Sequence, residues 1–236
     1  MIVSLFVFIV VVVLSVPSAI VVIPLAIVTG NADPLYNVGC AIVRIALRAA
    51  RIRVELSGRE NVPSGRACIF MANHVSNLDP PTLLSHIPGR TAVFLKRSLM
   101  SIPILGTAFK LGEFIPVDRG GSVHGAKESV AAAARVMDKG IHITTFVEGM
   151  RSKDGRMLPF KKGPFYLAFE TGAPCIPVSI YGTETMMAKG SFAIKPGTAH
   201  IDFHAPIYPR DYETREELLA AIRASIASGL PEWMRT

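Results

Sequence analysis

Asn73-His74-Val75-Ser76-Asn77-Leu78-Asp79-Pro80 places a histidine five residues before an aspartate. Residues five apart on a continuous α-helix point about 140° away from each other, so His74 and Asp79 can meet only across a turn. Apolar Ile69, Phe70 and Met71 run up to the stretch and a Pro-Pro pair follows it. This reads as the end of a buried strand, a tight loop and a helix start. Asp79 before Pro80 fits a helix N-cap with proline at the first helical position, leaving a carboxylate oxygen to accept from an imidazole N–H. A neutral imidazole held in that way has one nitrogen fixed as donor and the other exposed as acceptor, as a general base needs near neutral pH. No Gly-x-Ser-x-Gly elbow and no cysteine in an activated setting accompanies the pair, and nothing marks Ser76 as a nucleophile. A His-Asp pair without a protein nucleophile most simply activates a substrate hydroxyl for direct transfer of a group to it. The opposing reading is an ordinary loop histidine and an aspartate that only caps a helix.

Two further groups of residues could join the pair. Asp118-Arg119 follows one strand-like run and ends at Gly120, and Glu148-Gly149-Met150-Arg151-Ser152 follows another. Arginine grips phosphate through paired hydrogen bonds, Lys96 supplies a further positive charge, and Gly120 and Gly149 let backbone N–H groups approach an anion. Taken singly, an arginine after a strand is more often a solvated loop residue. In α/β sheets, functional residues collect beyond the carboxyl ends of strands, so these loops are expected to converge with His74.

The elements that would position them alternate along the chain. Strands are predicted at 53–56, 67–72, 91–95, 114–117, 142–147, 173–182, near 192–194, and at 199–203. Helices are predicted at 80–86, 126–139, 161–171 and 214–228, the second being rich in alanine. That alternation implies an α/β fold with a mostly parallel sheet flanked by helices on both faces. An N-terminal membrane-embedded helical segment precedes it. Residues 1–52 form the anchor and a basic amphipathic helix, and 53–236 the globular domain.

From Met1 to Thr29 no side chain is charged, a length sufficient to cross or deeply enter a bilayer. Pro17 and Pro24 leave a bent helix or a shallow insertion as open as a straight span. A cleaved signal peptide competes, with Val16-Pro17-Ser18-Ala19 as its cleavage region, although no basic segment precedes the apolar core. In residues 35–54, Arg44, Arg48 and Arg51 share one helical face among Val38, Ile42, Ile45 and Leu47. These features suggest an amphipathic helix at anionic lipid headgroups, with the arginines on the cytoplasmic side. A basic solvated helix on the protein's own surface is the alternative.

The 236 residues suffice for one substantial core and an extra segment, and the formal net charge is +7. With a positive mean hydropathy, that balance points to an anionic membrane surface. Nucleic acid is set aside, because the cations are dispersed and no aromatic platform interleaves them. Cys40, Cys68 and Cys175 stand unpaired among apolar neighbours, as reduced, buried thiols in a cytosolic domain would.

Four motifs in order resemble the glycerolipid acyltransferase family, specifically the 1-acylglycerol-3-phosphate acyltransferases. They are Asn73-His74-x4-Asp79, Phe114-Ile115-Pro116-Val117-Asp118-Arg119, Phe146-Val147-Glu148-Gly149-Met150-Arg151-Ser152, and Ala173-Pro174-Cys175-Ile176-Pro177-Val178-Ser179. The resemblance covers about residues 60–205 and extends to Lys96 followed by Pro103 and Gly106. It implies that His74 deprotonates a lysophospholipid hydroxyl while Asp79 orients the ring. Lys96, Arg119, Glu148, Gly149, Arg151 and Ser152 would bind the glycerol-phosphate acceptor, and Pro177 and Val178 would line the acyl or thioester pocket. The donor would be acyl-CoA or acyl-carrier protein as co-substrate, with no cofactor, no metal and no acyl-enzyme. One histidine and one aspartate are too few ligands for a metal site.

The third motif departs from the family pattern, with Val147 where proline is usual and Met150 where threonine is usual. The lost hydroxyl keeps open a different lysolipid or polar-lipid hydroxyl, or transfer between phospholipids. A non-catalytic membrane scaffold with a structural His-Asp loop is the rival of another class. By the first reading, the protein is membrane-associated with its catalytic domain facing the cytoplasm.

Overall fold

The computed structural model describes residues 2–117, 123–188 and 190–235. Asp118, Arg119 and Gly120 lie outside the described residues. Helix α1 (Ile2–Thr29) runs unbroken through Pro17 and Pro24, at about 42 Å for 28 residues. It is long and apolar enough to cross a membrane. Val3, Val7 and Val11, spaced four apart and therefore on one stripe, pack on a cluster containing Leu47, Leu78, Met186 and Ala199. Its other faces leave Phe6, Phe8, Val13, Ile20 and Ile27 exposed.

Helix α2 (Asp33–Ala49) starts with Pro34 in its first turn and ends in a tight turn before strand β1 (Ile52–Ser57). The amphipathic segment is therefore shorter than 35–54. Arg51 leaves the helix in a left-handed conformation (φ 56°), because Ile52 must pair in the sheet opposite Gly197.

The remaining strands are β2 (Ile69–Ala72), β3 (Thr91–Lys96), β4 (Ile115–Val117), β5 (His142–Phe146), β6 (Cys175–Tyr181) and β7 (Gly197–Phe203). Between them lie helices α3 (Asp79–Leu84), α4 (Leu105–Leu111), α5 (Val123–Met137), α6 (Gly163–Thr171) and α7 (Thr183–Met186), and α8 (Arg215–Gly229) follows β7. Among the described residues the sheet has seven strands in the order β1-β7-β6-β2-β5-β3-β4. Every neighbouring pair is parallel except β6 with β7, so the sheet is mixed but mostly parallel.

Successive side chains of a strand face opposite sides, and β2 divides accordingly. Ile69 and Met71 join a core built with Phe165, Leu167, Leu218 and Ile222 on one side. Cys68, Phe70 and Ala72 join Leu83, Ile87, Val178 and Ile201 on the other. Burial on both faces explains the continuous apolar runs of the central strands. Thr214 and Glu217 close a reciprocal capping box at the start of α8.

The predicted strand near 192–194 is absent. The segment sits between Gly190 and Pro196, Phe192 is 85% exposed, and the Ile194 N–H donates to Ser4 Oγ on α1 (2.9 Å) instead of to a strand.

Candidate active site

The chain leaves β2 at Ala72, which pairs with Phe146 of β5 on one side and with Val178 of β6 on the other. This register brings His74 and Glu148, each two positions past the last residue of its strand, side by side. Asn73 anchors the turn: its amide accepts from Ile180 N–H (2.7 Å) and donates to Ile180 O (2.8 Å).

Asp79 is the first residue of α3, and it does not cap the helix. Leu78 already has helical dihedrals (φ −79°, ψ −17°) and takes that place, its carbonyl accepting from Thr82 N–H (3.0 Å). The carboxylate is thus turned back onto the loop. Its Oδ2 accepts from His74 Nδ1 (2.8 Å) and from the backbone N–H groups of Val75 and Ser76 (both 2.7 Å). Thr183 Oγ1 on α7 donates to Oδ1. Asp79 is fully buried, whereas the His74 side chain keeps 13% exposure. The imidazole stacks on Phe146 with ring centroids 4.2 Å apart and planes at 28°. With Nδ1 engaged by the carboxylate, Nε2 is the nitrogen left to act as acceptor.

His74 lies in the wall of a cavity of about 1670 Å³ between the sheet's carboxyl edge and the helices α1, α2 and α4. Its walls are largely aliphatic and aromatic, including Val12, Val16, Ile42, Leu99, Leu105 and Phe109, and Lys96, Arg97, Arg135, Arg151 and Lys161 outnumber the one acidic residue there, Glu128, among the described residues. That volume exceeds the roughly 300–1,000 Å³ of ordinary small-molecule sites. The lining suits a long apolar chain with a negatively charged end.

The predicted site residues separate into groups. Lys96, Gly149 and Arg151 line the cavity with His74. Gly149 has φ 71°, and a Cβ there would lie 3.0 Å from Lys161 Cγ, so a side chain would push against a cation of the wall. Arg119 lies outside the described residues. Glu148 is buried and does not line the cavity. Its two oxygens accept from the backbone N–H groups of His74 and Leu158 (both 3.0 Å). Burial pushes its carboxyl up to about 7, with the Asp79 charge adding to the rise, while the two N–H donors and Arg223 act against it. Ser152 is buried as well, donating from N–H to His74 O (2.9 Å) and from Oγ to Asp154 (2.9 Å). Glu148 and Ser152 therefore hold the His74 loop in the described arrangement.

Pro177 and Val178 are buried in β6 and do not belong to the cavity wall. Because β6 is central, covered by β7 and β2 at its edges, Val178 points into the packed layer with Phe70 and Ile201. The apolar wall comes instead from the N-terminal helices and the segment around α4.

Sequence reasoning missed Thr183, Arg97 and Lys161, and it named Phe146 as a motif residue without its stacking on His74. Thr183 is 104 positions from Asp79, and no local signal marks it beyond its place after Gly182 at a strand end. Lys161 opens a predicted helix, and its cavity position follows only from Lys161 N–H donating to Val147 O (2.7 Å). Val147 is buried in the core, and Met150, 51% exposed, lies outside the cavity wall. Neither departure in the third motif alters the described lining. Cys40, Cys68 and Cys175 are free thiols, and burial pushes Cys68 up to about 11 and Cys175 up to about 12.

Residues 53–181 match the acyltransferase family. A chloroplastic 1-acyl-sn-glycerol-3-phosphate acyltransferase of Brassica napus is 37% identical over 162 residues, covering 66% of this chain and 45% of the relative. An enzyme of that name from Borreliella burgdorferi is 30% identical over 193 residues, 80% of this chain and 76% of the relative. The crystal structure of PlsC, the 1-acyl-sn-glycerophosphate (LPA) acyltransferase of Thermotoga maritima, superposes with a TM-score of 0.86 at 26% identity, covering 98% of this chain and 95% of that one. Several plant relatives are longer, the matched region spanning 45% to 57% of their length. With more than half of its residues matched and its whole fold shared, the chain belongs to the acyltransferase family.

Proposed function

We propose that the protein transfers a fatty acyl group from a thioester donor to the free hydroxyl of 1-acylglycerol-3-phosphate, forming phosphatidic acid. The observation that carries this reading is the 2.8 Å contact of His74 Nδ1 with Asp79 at the wall of a large apolar cavity that also contains cations. Nε2 accepts the proton of the acceptor hydroxyl, whose oxygen attacks the thioester carbonyl carbon. The C–S bond then breaks, and the thiolate leaves with the proton returned from the imidazolium. Asp79 stabilises that imidazolium and holds its tautomer. Transfer is direct, with no acyl-enzyme. Lys96, Arg151 and Lys161, together with Arg119 by resemblance, bind the acceptor phosphate. The donor is acyl-CoA or acyl-carrier protein.

The lipid-facing part of this proposal rests on α1. Its valine stripe packs on the globular domain while its remaining apolar faces are exposed. Inserting those faces into a leaflet sets the cavity at headgroup depth, so that the acceptor enters laterally and the soluble donor arrives from the cytoplasmic side. The test is acyl transfer from labelled long-chain acyl-CoA to 1-acylglycerol-3-phosphate in mixed micelles. Transfer by wild type and a loss of about a hundredfold or more in His74→Ala support the reading. Folded wild type that is inactive with this acceptor and active with another lysolipid moves the substrate. Inactivity with every donor and acceptor removes the catalytic reading.

A further inference from the structure

A second hollow, of about 450 Å³, opens where the last turns of α2 meet the start of β1. Arg44, Arg48, Arg51, Arg53 and His86 line it, and no described lining residue is acidic. Four arginines line one hollow, and a basic face of α2 alone does not account for all of them. Arg48 complements the carbonyl end of α2, but Arg51 and Arg53 lie beyond the helix, on the turn and on β1. Arg51 holds a left-handed φ of 56° that costs less for asparagine or glycine.

Part of the lining is already ordered. Arg44 Nη1 donates to Ser85 O (2.8 Å), and His86 Nδ1 donates to Thr82 O (2.7 Å), so His86 Nε2 donates to an anion only when the ring is protonated. Groups fixed before binding lose less conformational entropy on binding. Glu55, two residues after Arg53 on β1, lies 3.3 Å from His200. Guanidinium forks match phosphate oxygens in geometry and charge.

We propose that this hollow is a second phosphate-binding site, separate from the cavity that contains His74. Its ligand is a phosphate-bearing anion, supplied by a lipid headgroup or by a soluble phosphate compound. Burial holds His86 below the ordinary imidazole range, and Arg44 and Arg59 push it the same way. A bound anion reverses the effect of those charges, so His86 reports occupancy without any measurement of acyl transfer.

The experiment follows the His86 imidazole by NMR in full-length protein in neutral-detergent micelles, as pyrophosphate is titrated against chloride at matched ionic strength. A parallel series compares nanodiscs of phosphatidylcholine with nanodiscs that also contain phosphatidic acid. The proposal expects a saturable rise in the His86 pKa. It also expects affinity to weaken on the order of tenfold or more in Arg48→Gln/Arg51→Asn, which removes two guanidinium groups and at least one charge-assisted contact. Asparagine retains the left-handed turn at position 51. Arg210→Gln, an exposed arginine beside Asp211, serves as a control that leaves the response unchanged. A response to phosphatidic acid alone assigns the headgroup source, and a response to pyrophosphate assigns a soluble source. No response to either, or a double variant that responds as wild type does, overturns the proposal.

Discussion

Glu148 and His74 lie 74 positions apart in sequence, yet a Glu148 carboxylate oxygen accepts a 3.0 Å hydrogen bond from the His74 backbone N–H. The relationship follows from parallel pairing, since Ala72 pairs with Phe146 and each of the two residues stands two positions farther on. Glu148 thus acts on the loop that carries the base, and its second oxygen ties the same loop system to Leu158.

Replacement of Glu148 by alanine is expected to leave the His74 and Leu158 N–H groups without these partners. Each unsatisfied buried donor costs about 1–3 kcal/mol, so the variant should unfold at lower denaturant and transfer acyl groups more slowly. Chemical denaturation followed by circular dichroism checks the stability, and the micelle assay checks the rate.

The raised carboxyl of Glu148 also sets a pH dependence. Unfolded, the group titrates near 4.5, and in the folded protein near 7. The folded state therefore binds the extra proton between these values. Its contribution to stability is complete below about 4.5 and is lost as pH rises through about 7. The difference in unfolding free energy between wild type and Glu148→Gln should shift against wild type across that window. A difference that is flat with pH would contradict the assignment.

Asp79→Asn keeps the shape of the side chain but removes the anion that holds the His74 Nδ1–H. Acyl transfer should fall by on the order of 10²–10⁴, with kcat affected more than the acceptor KM. Equal loss in KM alone would mean that Asp79 serves binding rather than the proton transfer.

Thr183→Val removes the hydroxyl that donates to Asp79 Oδ1 at nearly constant volume. As a positioning residue it should cost less than Asp79→Asn, roughly tenfold in kcat, and displace the pH-rate profile. Thr183→Ser should restore both, which a purely packing role for this side chain would not produce.

Lys161→Met removes one cation from the cavity wall while keeping an apolar stem. The expected result is a higher KM for 1-acylglycerol-3-phosphate with a smaller change for the acyl donor. Gly149→Val should show the same selectivity together with lost stability, because φ 71° is a costly conformation for a β-branched residue. Steady-state kinetics with each substrate varied in turn distinguishes the two contributions.

The alternation of apolar runs and turns made the α/β class, the long apolar first helix and the alanine-rich helix readable in the chain, because strand and helix periodicities are local properties. His74 and Asp79 were readable for a similar reason: five residues and a turn suffice to join them. Glu148, Ser152, Pro177 and Val178 were visible as motif residues but their places were not. A motif records that a side chain is required, and only packing shows whether it faces a substrate, a neighbouring loop or the core. The strand expected near 192–194 failed because apolar residues alone do not provide a partner edge.

The sequence by itself determined the α/β alternation, the long apolar first helix and the His-Asp pair, since each depends on residues within about one turn or one strand of one another. Tertiary structure alone decided the register that aligns Ala72 with Phe146 and Val178. It also decided Thr183 as the second support of Asp79, and the use of α1, α2 and α4 as the cavity wall. Those relationships join residues from distant parts of the chain, and they form only when burial of both sheet faces offsets the entropy of bringing the segments together.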